Sequence, residues 1–239
     1  MSEQTDVLLL RLEGPLQSWG EAGRWSVRDT RLEPTKSGVV GMLAACLGWG
    51  PADDALIVQL AAALRMGVRI DRPGRVVRDY HTLCGGVLSA EGKIKITQST
   101  GEPETVPSER YYLADACFLV GLEGQTTVVD RLEAALHHPV WPPFLGRKSC
   151  VPSAPLYPAL PTYPSQWRGA ALEDVLARFP SLDRETPTEP ALAIIEVSAG
   201  HQAQGEFVQV RRDVPLSLVT RRFAHRYVRE TQLAVEPSS

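Results

Sequence analysis

Val7-Leu8-Leu9-Leu10-Arg11-Leu12, closed by Gly14-Pro15, and Pro34-Thr35-Lys36-Ser37-Gly38-Val39-Val40, running on to Gly48, are the two stretches on which the fold turns. The first reads as a strand, with Leu8, Leu10 and Leu12 on one face and Val7, Leu9 and Arg11 on the other. Gly14-Pro15 is a turn signal. The second reads as a helix with Thr35 as its N-cap. Val39, Val40, Leu43 and Leu47 recur at helical spacing, and Gly48 and Gly50 end it. Between them, a polar and aromatic loop from Gln17 to Glu33 carries Trp19, Arg24, Trp25, Arg28 and Arg31.

Working outward, Asp53 is placed to cap a second helix bearing Leu56, Leu60 and Leu64. Met66 to Ile70 alternates as a strand, Asp71 to Gly74 is a turn, and Val76 to Leu83 is extended. Residues 84–109 differ in character. Glycines and prolines punctuate them, and Lys93 to Thr97 alternates charge with β-branched residues. A hairpin without a core of its own needs another surface to pack on, so it is expected to project; a plain loop is the other reading. Tyr111 to Gly121 is an apolar strand, and Thr126 to His138 is an amphipathic helix stopped by Pro139. This order resembles a split βαβ, ferredoxin-like unit. Beyond it, Pro142 to Pro164 is mostly irregular and Leu172 to Phe179 is a short helix. Ala191 to Ser198, Phe207 to Arg212 and Arg222 to Arg229 read as strands.

The chain has 239 residues, enough for one large domain or two small ones. A formal net charge of −3 gives no global sign of nucleic acid, so any basic surface must be local. The cations are 21 Arg against four Lys, and Arg offers the planar fork that suits phosphates and stacks on bases, although genome composition also explains such an excess. Cys46, Cys84, Cys117 and Cys150 form no C-x-x-C pair and no zinc spacing, so they read as buried hydrophobes in a reducing cytoplasm. No metal and no cofactor is expected. No secretory leader and no membrane span is read.

Hydrolase, zincin and dinucleotide motifs are missing from the sequence, and Lys36-Ser37 lacks the upstream glycine of a P-loop. His137-His138 closes a helix and reads as a cap. Three places suit a polyanion. Lys36 and Ser37 stand on the first turn of a helix, where free N–H groups favour phosphate, though a simple capped start has the same sequence. Phe144-Leu145-Gly146-Arg147-Lys148-Ser149-Cys150 combines close backbone approach, charge, a hydroxyl and an aromatic face, and also fits an ordinary surface turn. Arg211, Arg212, Arg221, Arg222, Arg226 and Arg229, with Phe223 and Tyr227, form a basic and aromatic cluster, or else a sheet edge protected by charge. Arg65, Arg69, Arg72, Arg75 and Arg78 concentrate further charge, diluted by Asp71 and Asp79.

Three stretches in order, Leu8 to Gly20, Pro34 to Gly48 and Phe144 to Cys150, resemble the Cas-five family of the repeat-associated mysterious protein (RAMP) superfamily, in particular its type I-E Cascade members. The resemblance covers nearly the whole chain and is weakest in the final third. It implies an α+β fold with a ferredoxin-like, RRM-like body (1–83 plus 110–145), a protruding β-hairpin thumb (84–109) and a small C-terminal β-rich region (146–239). It implies a non-catalytic role in antiviral DNA targeting: capping the complex and holding the 5′ handle of the crRNA. The implied partners are that RNA, the Cascade backbone subunit through the thumb, the large PAM-recognising subunit, and target DNA indirectly, in the cytoplasm and away from membranes. The residues carried over as RNA-binding are Gln17, Ser18, Trp19, Lys36, Ser37, Phe144, Gly146, Arg147, Lys148 and Ser149. The competing reading is a metal-independent endoribonuclease that processes precursor crRNA, as in type I-C relatives, with Tyr80, His81, Lys93 and Lys95 as the nearest candidates. A protein scaffold without RNA contact is a third class.

Overall fold

The computed structural model describes residues 4–20, 26–84, 92–94, 96–158, 160, 162–183, 190–200 and 207–235. In chain order the elements are β1 (Thr5–Glu13), β2 (Leu16–Gln17), β3 (Val27–Arg28), α1 (Lys36–Cys46), α2 (Asp54–Ala63), β4 (Arg65–Arg72), β5 (Arg75–Leu83), β6 (Val106–Ala114), β7 (Cys117–Gln125), α3 (Thr126–His137), β8 (Gln166–Arg168), α4 (Leu172–Arg178), β9 (Ala191–Val197), β10 (Gln209–Ser217) and β11 (Arg222–Leu233). Arg24, Trp25, Gly85, Gly86 and Lys95, all singled out from sequence, lie outside the described residues.

Seven strands form one antiparallel sheet in the order β10-β11-β9-β4-β7-β1-β8. Within it, β4-β7-β1-β8 are joined through α1 and α2 on one crossover and α3 on the other. The two faces of β1 divide as the alternation predicts. Leu8, Leu10 and Leu12 meet α1, α2 and α3 in the larger core, and Val7 and Leu9 meet α4 and Phe179 in the smaller one. Both faces of this part of the sheet are therefore covered by the chain's own side chains. Residues 146–239, expected as a region of their own, supply β8 to one edge of this sheet and β9, β11 and β10 to the other.

Tyr111 to Gly121 is two strands, not one. β6 ends at Ala114, Asp115 turns the chain with φ 58°, and β7 starts at Cys117. An apolar run carries no sign of such a corner, and Asp is among the few residues that tolerate the left-handed region. The corner moves β6 into a second sheet, ordered β2-β6-β3 with β5 also on β6. β5 and β6 pair without interruption from Arg75↔Ala114 to Leu83↔Val106. The hairpin thus begins well before residue 84. Nearer its tip, an Ile96↔Pro103 bridge and a turn closed by Thr97 N–H to Glu102 O, 2.8 Å, continue it.

α4 lies on a pair of glycines that face each other across β4 and β7, Gly67 and Gly121. A Cβ on Gly67 would lie 2.7 Å from Leu176 Cδ1, and one on Gly121 2.5 Å from Leu172 Cδ1. The buried Arg69 guanidinium then locks the end of the helix by donating to the carbonyls of Leu176, Phe179 and Pro180 and to Asp71. Gly121→Val is expected to lower stability by about 1–3 kcal/mol through overpacking, read as a lower urea midpoint at unchanged slope.

Candidate nucleic-acid interface

The start of α1 is occupied from within. Thr35 caps it by accepting from Gly38 N–H, as its sequence predicts. The Lys36 amide donates to Asp213 Oδ2 at 2.8 Å, so a carboxylate of β10 already sits where a phosphate was expected. The Lys36 side chain turns inward and donates to Leu64 O at 2.7 Å and to both oxygens of Glu196 at 2.9 Å. Lys36 is buried and Ser37 half-buried. The expectation that Lys36 faces phosphate is corrected: its ammonium is held inside by Glu196. Arg226 completes the cluster, with Nε on Asp213 Oδ1 at 2.7 Å and Nη2 on Oδ2 at 2.9 Å. Burial alone would push the Asp213 carboxyl up, but the bonds from Arg226 and Lys36 outweigh it and hold it below its ordinary value. Burial likewise pushes the Lys36 ammonium down, with Glu196 opposing.

Gln17, Ser18 and Trp19 are also framework. Gln17 is fully enclosed and donates to Leu12 O at 3.0 Å and Ala116 O at 2.8 Å, while its Oε1 accepts from Trp19 Nε1 at 3.0 Å. Trp19 is core, packed over Gly38 of α1. These two side chains are therefore not available to a ligand, which corrects the reading of them as RNA contacts. Ser18 is buried and ties the motif to the Phe144–Cys150 loop through its N–H to Leu145 O, 3.0 Å. Gly146 has φ +93°, and a Cβ there would lie 1.7 Å from Ser18 O. Glycine stands at 146 so that these two backbones can touch.

Arg147 braces the same junction. Its guanidinium donates to Tyr111 O at 3.2 Å, Arg28 O at 3.0 Å and Asp29 O at 3.2 Å, and stacks 4.7 Å from the Tyr112 ring centroid. Phe144 is half-buried, whereas Lys148 and Ser149 are exposed. Of the ten residues anticipated, Lys148 and Ser149 are the exposed polar side chains, and Arg147 places them beside β3 and β6.

What the sequence reading missed lies on the second sheet. Register puts His81 opposite Ser108 and Asp79 opposite Arg110, and Arg28 of β3 pairs with Arg110 from the other side. Since alternate residues share a face, Asp79, His81, Ser108, Arg110 and Tyr112 stand together, with Arg147 over the last of them. His81 bonds to Asp79. Ser108 Oγ and Arg110 Nε are enclosed and have no hydrogen-bond partner. Arg28 and Lys148 are exposed on either side of the Arg147 brace. The result is a local basic surface on a chain of net charge −3. The alternation of Ser108, Arg110 and Tyr112 is visible in the sequence, but their pairing with β5 and β3 is not.

The other basic clusters are largely committed internally. Arg65 is bonded to Glu123 and Glu173, Arg72 to Glu13 and Asp183, Arg211 to Glu33, and Arg226 to Asp213. Among the described residues no group of three or more metal-ligating side chains converges, and no helix is long and apolar enough to cross a membrane.

Gly146→Ala is expected to cost several times the ~1 kcal/mol of a simple glycine replacement, because it adds a backbone collision to a positive φ; thermal melting reads the loss. The stability supplied by Asp213 is present above its ordinary value of 3.8 and is lost as pH falls through its lower value in the fold. Asp213→Asn is therefore expected to melt below the parent at neutral pH, with the gap closing as pH drops below 3.8.

Comparison with known proteins follows this geometry. The chain is 37% identical over 161 residues to the CRISPR system Cascade subunit CasD of Escherichia coli (strain K12), covering 63% of this chain and 69% of the relative. A Cas protein of known crystal structure is 39% identical and superposes with a TM-score of 0.70 over 97% of this chain and 98% of that one. A chain of a CRISPR RNA-guided surveillance complex is 31% identical, with a TM-score of 0.69 over 96% of this chain and 90% of that one. Residues 7–229 match the family described as CRISPR-associated protein (Cas_Cas5). With that match across nearly its whole length, the chain belongs to the Cas-five family of CRISPR-associated proteins.

Proposed function

We propose that this chain is a non-catalytic subunit of a type I-E Cascade surveillance complex in the bacterial cytoplasm, where it holds the 5′ handle of the crRNA. Its body is the ferredoxin-like unit β1-α1-α2-β4-β7-α3-β8, and the β5–β6 hairpin is the thumb that packs on the adjacent backbone subunit. The handle end also meets the large PAM-recognising subunit, and target DNA is engaged only through the guide.

The observation that carries this reading is the basic surface of the second sheet, built from Arg28, Arg110, Arg147 and Lys148 around the loop that Gly146 fastens to Ser18. RRM-type recognition stacks bases on an open sheet face. Here the face opposite α1 and α3 is covered by α4, Tyr163, Trp167 and Phe179, so RNA is directed to the second sheet instead. On that sheet, Arg28 and Lys148 contact phosphates, Ser108 and Arg110 supply further polar groups, and Arg147 keeps the loop in place. β5 is exposed along most of its length, as expected of an element awaiting a protein neighbour.

Cleavage remains the second reading because of the His81–Asp79 pair beside Ser108 and Arg110. The two are separated by sequencing the RNA that copurifies when the chain is co-expressed with the other complex subunits and a CRISPR array. A His81→Ala complex is expected to carry guides with the same uniform, repeat-derived 5′ ends as the parent. Accumulation of uncut precursor would replace the clamp with a nuclease. In binding titrations, an Arg28→Ala, Lys148→Ala double variant is expected to weaken handle binding regardless of base sequence. It should also lower the dependence of log K on log salt by about one for each phosphate contact removed.

A further inference from the structure

Segment 29–33 continues from β3 and runs over the end of the seven-stranded sheet, leaving a pocket of about 490 Å³ between them. That is within the roughly 300–1,000 Å³ of sites that hold small planar ligands. Ile70 and Ile194 form an apolar floor, and the exposed Leu32 stands at the rim. The polar lining does not suit a phosphate. Arg31 and Arg211 both already donate to Glu33 Oε1, at 3.0–3.1 Å. Asp29 contributes a carboxylate whose Oδ1 is enclosed without a hydrogen-bond donor. An acceptor left in that state gains by turning toward a ligand that donates N–H groups.

The pocket is also continuous with the basic surface. Asp29 follows Arg28 directly, and Arg147 holds the carbonyls of both. A chain whose phosphates rest on Arg28 and Lys148 therefore passes the mouth. Single-stranded RNA is read through unstacked bases set against flat apolar or aromatic surfaces and bonded at their edges. We propose that the pocket between residues 29–33 and the sheet receives one unstacked, amino-bearing nucleobase of the bound RNA, seated on Ile70 and Ile194 and donating to Asp29. This rests on the RNA-holding function above and adds base selection to it: adenine, cytosine and guanine carry the required amino group, and uracil does not.

The test titrates the full-length protein with single-stranded RNA of the host repeat's 5′ handle, intact and as a series with one abasic position each. One abasic position is expected to cost the parent about tenfold in affinity, the size of a lost base-stacking contact. In Asp29→Asn that penalty is expected to shrink to within about twofold. Leu32→Ala, at an exposed rim position that leaves the core untouched, is expected to reduce the same penalty. If the parent binds the intact RNA but every abasic position is tolerated, or the penalty persists unchanged in both variants, the pocket is overturned and the phosphate grip stands. If the parent fails to bind intact handle RNA, the pocket and the RNA-holding function fall together.

Discussion

Four buried or nearly buried charges, Lys36, Glu196, Asp213 and Arg226, hold the two ends of this chain to one another. Two are cations and two are anions, and each has a charged partner within bonding distance. Desolvating charges costs several kcal/mol apiece, on the order of what a good partner restores, so such a cluster persists only if it is complete. Its completeness joins α1, β9, β10 and β11, and it is why the C-terminal strands extend the first sheet instead of folding apart. It also decides where function can lie, because Asp213 fills the amide end of α1 that an external anion would otherwise use.

With that end closed, the polar chemistry available to a ligand gathers on the smaller sheet. The junction there depends on contact between two backbones, Gly146 against Ser18, with Arg147 spanning three carbonyls across the gap. The family's sequence motifs are in this sense mostly the joinery of the site. Gln17, Trp19, Lys36, Gly146 and Arg147 build and brace it. Residues without a motif, Arg28, Arg110 and Lys148, present charge from it. A surface of this kind is sensitive to changes in its framework as well as to loss of the charges it displays.

Much of the fold was legible. The alternation in Val7 to Leu12 predicted both core-facing sides of β1, Thr35 was placed correctly as a cap, and the period of Thr126 to His138 found α3. The hairpin was seen but drawn too short, because Val76 to Leu83 and Val106 to Ala114 have no feature that announces their pairing. Tyr111 to Gly121 was read as one strand because Asp115, a single residue, makes the corner. The site was less legible. Basic residues were noted in the right segments, but an exposed Lys148 and an enclosed Lys36 look alike in one dimension.

The sequence by itself determined the elements, their caps and turns, and which residues share a face, since these follow from periods of two and 3.6 and from neighbours a few positions apart. Only the tertiary structure decided where each charge goes. Asp213 reaches the Lys36 amide across 177 residues, and Gln17 reaches Ala116 across 99. Whether a side chain meets water or a partner of opposite charge is fixed by which strands lie side by side. That choice is made by the packing of the whole sheet, and no local pattern encodes it.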